Sequence, residues 1–78
     1  LFQIIIDSKQ TDKSINIKSN EIISEVKLID VNGNVIFYSN KINATDYLLE
    51  NKSQASGIYF VELKIANKIY HKKIILSN

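Results

Sequence analysis

The sequence contains no cysteine, proline, methionine or tryptophan, only two glycines and a single histidine. Without cysteine there is neither a disulfide frame nor a thiolate metal site, and the redox compartment is left open. Arginine is missing as well. All ten basic residues are lysine, set against eight acids, for a formal net charge of +2. Readers of nucleic acid lean on the guanidinium fork for bidentate contacts to bases and phosphates, so no nucleic-acid partner is expected. No aliphatic run exceeds the three residues of Ile4-Ile5-Ile6 or Ile74-Ile75-Leu76, which leaves no stretch here for a membrane-spanning helix or a signal-peptide core. One histidine and scattered acids assemble no recognisable metal site or catalytic triad, so no metal, cofactor or enzymatic activity is expected.

What remains is an ordinary globular composition, with 45% hydrophobic and 23% charged residues in a chain of 78. That length allows one domain, residues 1–78. A chain of this size hides only about 60% of its unfolded surface, for a stability of roughly 5–8 kcal/mol. Residue 1 is Leu rather than Met, so the chain is expected to be a piece of a longer protein.

No window repeats its apolar residues at helical spacing. Short apolar–polar alternations rich in Ile and Val are instead separated by Asn, Ser, Asp and Gly, the signature of strands and turns. The clearest is Gly57-Ile58-Tyr59-Phe60-Val61-Glu62-Leu63-Lys64-Ile65. Tyr59, Val61, Leu63 and Ile65 share one face, predicted to be core; Ile58, Phe60, Glu62 and Lys64 share the other. This segment is predicted to be the central strand. Ala66-Asn67 then suits a tight hairpin, with Asn67 tolerating positive φ, and a last strand runs over 68–76. Ile69 sits on one parity of that strand and Tyr70, Ile74 and Leu76 on the other, which predicts a bulge near Lys72-Lys73.

Upstream, Val26 and Leu28 alternate in a strand over 25–31, Asn32-Gly33-Asn34 gives the strongest turn signal, and Val35-Ile36-Phe37-Tyr38 returns. Asp30 is placed to fold its carboxylate onto N–H groups of that turn. Further strands are predicted over 2–6, 14–18 and 45–50. About seven strands with turns every eight to twelve residues predict an all-β, antiparallel Ig-like or fibronectin-like sandwich.

Three passages, taken together, resemble the C-terminal sorting domain of the bacterial type IX secretion system. Val26-Lys27-Leu28-Ile29-Asp30-Val31-Asn32-Gly33-Asn34-Val35-Ile36 is similar to that family's strand, aspartate, glycine turn and returning strand. Ala55-Ser56-Gly57-Ile58-Tyr59-Phe60-Val61 is similar to its small-residue, Gly-hydrophobic-Tyr strand opening. Lys72-Lys73-Ile74-Ile75-Leu76 is similar to its basic-then-apolar ending. The order agrees from about residue 14 onward. The family's Tyr-Pro-Asn-Pro-like opening has no counterpart, since Ser8-Lys9-Gln10-Thr11 stands in its place, and Gln54 stands where the family often has Leu. Abundant Ile, Lys and Asn without Arg or Pro suits an AT-rich bacterium of the Bacteroidetes type.

The resemblance implies a folded address. A cargo N-terminal to the domain crosses the periplasm, the type IX machinery carries it through the outer membrane, and a surface peptidase removes the signal. The cargo then stays at the cell surface or is secreted. It implies that Lys72, Lys73, Ile74, Ile75 and Leu76 are the recognition segment; by themselves these residues better suit a last strand whose lysines discourage aggregation. Asp30 and Gly33 are expected to hold a hairpin. Gly57 is expected to meet a need for positive φ or a close backbone approach, and Tyr59 to be a core aromatic with its hydroxyl at the edge. His71 is expected to be a partly exposed strand residue. The sequons Asn43-Ala44-Thr45 and Asn51-Lys52-Ser53 are expected by chance among nine asparagines.

An alternative from another class is an accessory module that binds glycan or protein within a larger enzyme or adhesin. It predicts that Phe37, Tyr38, Tyr47 or Phe60 cluster on one solvent face. Strand edges at 2–6 or 72–76 would also allow a homodimer, and the sequence does not decide between monomer and dimer.

Overall fold

Strand-forming segments and turn residues alternate along the chain as a sandwich requires. The computed structural model describes residues 2–8, 14–50 and 55–76, and it contains seven strands and, among those residues, no helix. The strands are β1 (Ile4–Ser8), β2 (Ile15–Ile23), β3 (Glu25–Asp30), β4 (Val35–Ser39), β5 (Ala44–Leu49), β6 (Gly57–Ile65) and β7 (Lys68–Leu76). They form two antiparallel sheets, ordered β1-β2-β5 and β4-β3-β6-β7. Three strands facing four in this order is a fibronectin-like sandwich.

The inner faces interlock. Ile6, Ile15, Ile17, Ile23 and Leu49 come from the smaller sheet, and Val26, Leu28, Tyr59, Val61, Leu63, Ile65, Ile74 and Leu76 from the larger; all are buried. β6 carries the longest inward row, every second residue from Tyr59 to Ile65, so it is the central strand of the core as the alternation predicts. At about 1.5–3 kcal/mol per buried large apolar side chain, this layer is the main term opposing chain entropy.

The connections explain the crossings. Ser24 alone links β2 to β3, and its N–H and hydroxyl both donate to the Lys64 carbonyl oxygen, at 2.9 and 3.0 Å. Those bonds fix the bend where the chain leaves one sheet for the other. Between β3 and β4 the Gly33 N–H donates to the Asp30 carbonyl and the Asp30 N–H to the Asn34 carbonyl. Val31 and Asn32 form the turn, and Gly33, with φ at +87°, closes it in the conformation that a bulged hairpin gives to glycine. Between β6 and β7 both linking residues, Ala66 and Asn67, have positive φ, at 50° and 66°. A two-residue hairpin turn of the primed type needs that twist.

The bulge expected at Lys72-Lys73 is absent. β6 and β7 pair without interruption from Gly57 opposite Leu76 to Ile65 opposite Lys68. The parity conflict is settled otherwise: Ile69 faces solvent, and Tyr70, Lys72, Ile74 and Leu76 form the inward row. Lys72 fits that row because it lies at a sheet edge, where its ammonium donates to the Ile6 carbonyl oxygen of β1 at 2.8 Å. The actual bulges are elsewhere. One lies in β4 beside Leu28 and Ile29, and one in β2 between Lys18 and Ile23. The β4 bulge lets Ile36 and Phe37 both pack against the core.

Candidate interaction surface on the four-stranded sheet

The residues singled out in the sequence converge on one end of the larger sheet. Asp30 lies opposite Tyr59, Tyr59 opposite Ile74, and Gly57 opposite Leu76. The β3–β4 turn, the opening of β6 and the close of β7 are therefore neighbours, although up to 46 positions separate Asp30 from Leu76.

Each of the scaffold residues has a definite task. The Asp30 carboxylate accepts the Asn32 and Asn34 N–H groups at 2.9 Å each through one oxygen, and the Asn34 side-chain amide at 3.2 Å through the other. The Asn34 N–H bond, aided by the other donors of the turn and opposed by slight desolvation, holds the carboxyl below its ordinary value. Gly57 has φ at +154°, and open space surrounds the position a Cβ would take. Of the two reasons for glycine, backbone conformation is the one that applies, and no neighbouring strand crowds it. Tyr59 is buried, and its hydroxyl donates to the Ala55 carbonyl oxygen at 2.6 Å. An aromatic at the start of this strand, bonded back to the preceding chain, is the tyrosine corner of Ig-like sandwiches.

The expected recognition segment is split by the alternation of β7. Ile74 and Leu76 are buried in the core, whereas Lys73 and Ile75 face solvent on the outer face of the sheet. Lys72 is held at the β1 edge, and the Ser8 hydroxyl donates to the Ile75 carbonyl oxygen at 3.2 Å, so two side chains tie β1 to β7. Ligands reaching this strand from outside meet His71, Lys73, Ile75 and the strand's own edge, not five consecutive side chains.

The outer face of the sheet has two halves. In the polar half, Lys27 and His71 flank Glu62, at 3.3 and 2.9 Å from its two oxygens, and Lys27 lies over the Tyr38 ring with its nitrogen 5.7 Å from the centroid. Burial pushes the Glu62 carboxyl up, but the hydrogen bonds and charges of His71 and Lys27 outweigh it and hold it below its ordinary value. Glu25 pairs with Lys64 at 3.5 Å and accepts the Tyr38 hydroxyl at 2.9 Å; that bond, with some desolvation, raises the phenol's pKa. His71 is the exposed strand residue expected, with one carboxylate partner.

In the other half, Val35, Ile29, Phe60 and Lys73 form one cross-strand row, and Ile58 and Ile75 the next. Val35, Ile58 and Ile75 are 53%, 42% and 56% exposed, so this half is an apolar surface in water. Sequence reading placed Ile58 and Phe60 on the outer face of β6, but joining them to Ile29, Val35 and Ile75 needed the register.

The four aromatics proposed for a binding platform do not share a face. Phe37 and Tyr47 stack at 6.2 Å between centroids and pack against the core, while Tyr38 and Phe60 lie on the outer face. Among the described residues no three His, Asp or Glu side chains converge as a metal site requires. The sequon at Asn51-Lys52-Ser53 lies outside the described residues.

A family model described as a domain of unknown function (DUF8694) matches residues 3–76. The chain belongs to that family. No curated protein matches it. The matched span runs from the residue before β1 to the last residue of β7, so the family's unit is this sandwich as a whole.

Proposed function

We propose that this DUF8694 domain is a sorting signal: a folded address that directs a cargo N-terminal to it through the type IX secretion machinery, to be removed by a surface peptidase after translocation. The domain carries out no chemistry of its own. It travels through the periplasm and delivers its cargo to the cell surface or beyond.

The observation that carries this reading is the position of β7. It is an outer strand of the larger sheet, paired on one side only, and it presents His71, Lys73 and Ile75 on the outer face. Such a strand offers alternate side chains for selection, and backbone groups for strand addition where β1 does not cover its edge beside Lys72 and Ile75. Support also comes from the way the three resembling passages fall on the β3–β4 hairpin, the opening of β6 and β7, which are neighbours in the fold. A rigid sandwich suits an address because its recognition surface is already ordered, and little conformational entropy is lost on docking.

The test is a secreted fluorescent reporter carrying residues 1–78 at its C-terminus, expressed in a bacterium with a type IX system. The reading expects the reporter at the cell surface or in the medium, with the domain removed. Retention of the reporter in the periplasm of the competent strain, or export equal to that in a strain lacking the machinery, refutes it.

A further inference from the structure

We infer that the apolar half of the outer face, centred on Phe60 and Ile58 with Lys73 at its β7 margin, is the docking surface for a partner protein that presents apolar side chains beside a carboxylate. This inference rests on the sorting reading and names where and by what chemistry the machinery would grip the domain.

The shape of the surface comes from the register. Val35, Ile29, Phe60 and Lys73 stand side by side on four neighbouring strands, and Ile58 and Ile75 extend the surface by a second row. Strand spacing makes this row about 14 Å long, with the second row about 7 Å away. Contiguous exposed apolar surface on a small sandwich is a cost that a binding role offsets.

Charge identifies the occupant. In the polar half each basic side chain already has a carboxylate partner: Lys27 and His71 share Glu62, and Lys64 has Glu25. Lys73 differs, because it stands at the end of a row of three apolar side chains and forms no ion pair among the described residues. Asp7 lines the cleft beside it, but from the other sheet and without an ion pair. A complementary surface therefore supplies apolar groups over Ile29 and Phe60 and an anion at Lys73. A second copy of the chain is a poor fit. It brings another lysine to the interface; on the lysine's own sheet the nearby acids Glu62 and Asp30 are committed to Lys27, His71 and the β3–β4 turn, and the unpaired Asp7 belongs to the other sheet. An anionic membrane is also a poor fit, since electrostatic anchoring takes several basic side chains at one margin, and here there is one.

The test uses the reporter fusion with four altered versions of the domain, one of them K73R, which keeps the positive charge. I58T combined with I75T removes apolar surface while keeping β-branched side chains in the strands; K73E reverses the charge; I5T is a control on the outer face of the other sheet, where Ile5 is 46% exposed. All are checked by thermal unfolding, because export is compared only among variants that fold. The expected result is a drop in exported reporter of about tenfold or more for I58T/I75T and for K73E, near-normal export for K73R and for I5T. Normal export of folded I58T/I75T and K73E, alongside export of the unaltered fusion, overturns the docking surface and leaves the sorting reading standing. No export of the unaltered fusion overturns both. Two further outcomes overturn the choice of partner: sedimentation of the free chain as a dimer that K73E dissociates, or its cosedimentation with phosphatidylglycerol vesicles.

Discussion

Ile69, Ile74 and Ile75 have the same side chain in one strand, yet the register assigns them opposite energetic roles. Ile74 is 5% exposed and packs in the core, while Ile69 and Ile75 are each 56% exposed on the outer face. Truncation to alanine removes three carbons, about 2.4 kcal/mol of transfer energy at a buried site, and the cavity left behind raises the cost to about 3–4 kcal/mol. At the exposed sites only strand propensity and partial burial are lost, about 0.5–1 kcal/mol. The measurement is urea unfolding followed by far-ultraviolet circular dichroism, with all three variants analysed at a common slope. The thermal midpoint of Ile74→Ala should fall by about 4–8 °C for each kcal/mol lost, which puts it near the limit of folding at 25 °C for a domain this small. Ile69→Ala and Ile75→Ala should stay close to the unaltered protein. Equal costs at Ile74 and Ile75 would refute the facing of β7. A large cost at Ile69 would restore the bulge at Lys72-Lys73 and overturn the uninterrupted pairing with β6.

Four other outcomes follow from named contacts. Replacing Ala66-Asn67 by Asn-Gly should stabilise the domain by about 0.5–1 kcal/mol, because alanine is strained at φ of +50° while Asn-Gly prefers this turn; an unchanged urea midpoint would contradict it. Tyr59→Phe should cost about 1–2 kcal/mol through loss of the bond to Ala55, with the ring's packing retained. Gly57→Val should cost about 1–3 kcal/mol, and the cause predicts that Gly57→Ala costs nearly as much, since the penalty lies in the backbone and not in lack of room. For pH, Asp30 and Glu62 both have folded values below their ordinary ones, so the unfolded chain binds more protons as pH drops through the carboxylate range. Their contribution is present above about pH 4–5 and is lost as pH falls through the folded values. Asp30→Asn, which keeps an acceptor oxygen, should flatten that acid-side slope in a pH series of unfolding midpoints.

Much of the fold was legible because β6 and β3 alternate without a break and because Asp30, Gly33 and Asn67 are turn residues with specific conformational needs. Where alternation fails, the residue pattern no longer marks the strand's bounds or its facing. β2 was expected to stop at residue 18 but continues to Ile23, since Ser19, Asn20 and Glu21 give no apolar alternation and the irregular pairing with β5 is a matter of register. β1 was expected over 2–6 and runs over Ile4–Ser8, an apolar run whose facing only β2 fixes. In β7 the sequence posed the conflict between Ile69 and Ile74 correctly, but sequence parity alone could not show that an inward lysine is acceptable when a carbonyl of β1 lies within reach. The candidate surface was legible only in part. Lys73 and Ile75 stand out from their own strand, whereas Phe60, Ile29 and Val35 join them only through three successive strand pairings.

The ties from Lys72 to Ile6 and from Ser8 to Ile75 have a temporal consequence. The first strand and the seventh hold each other, and the seventh also delivers Ile74 and Leu76 to the core. A chain that emerges N-terminus first therefore has its opening strand waiting, half-partnered, until the very last ribbon arrives. Closure of the body is a late, all-at-once event, so the finished surface exists only once the whole domain has been made.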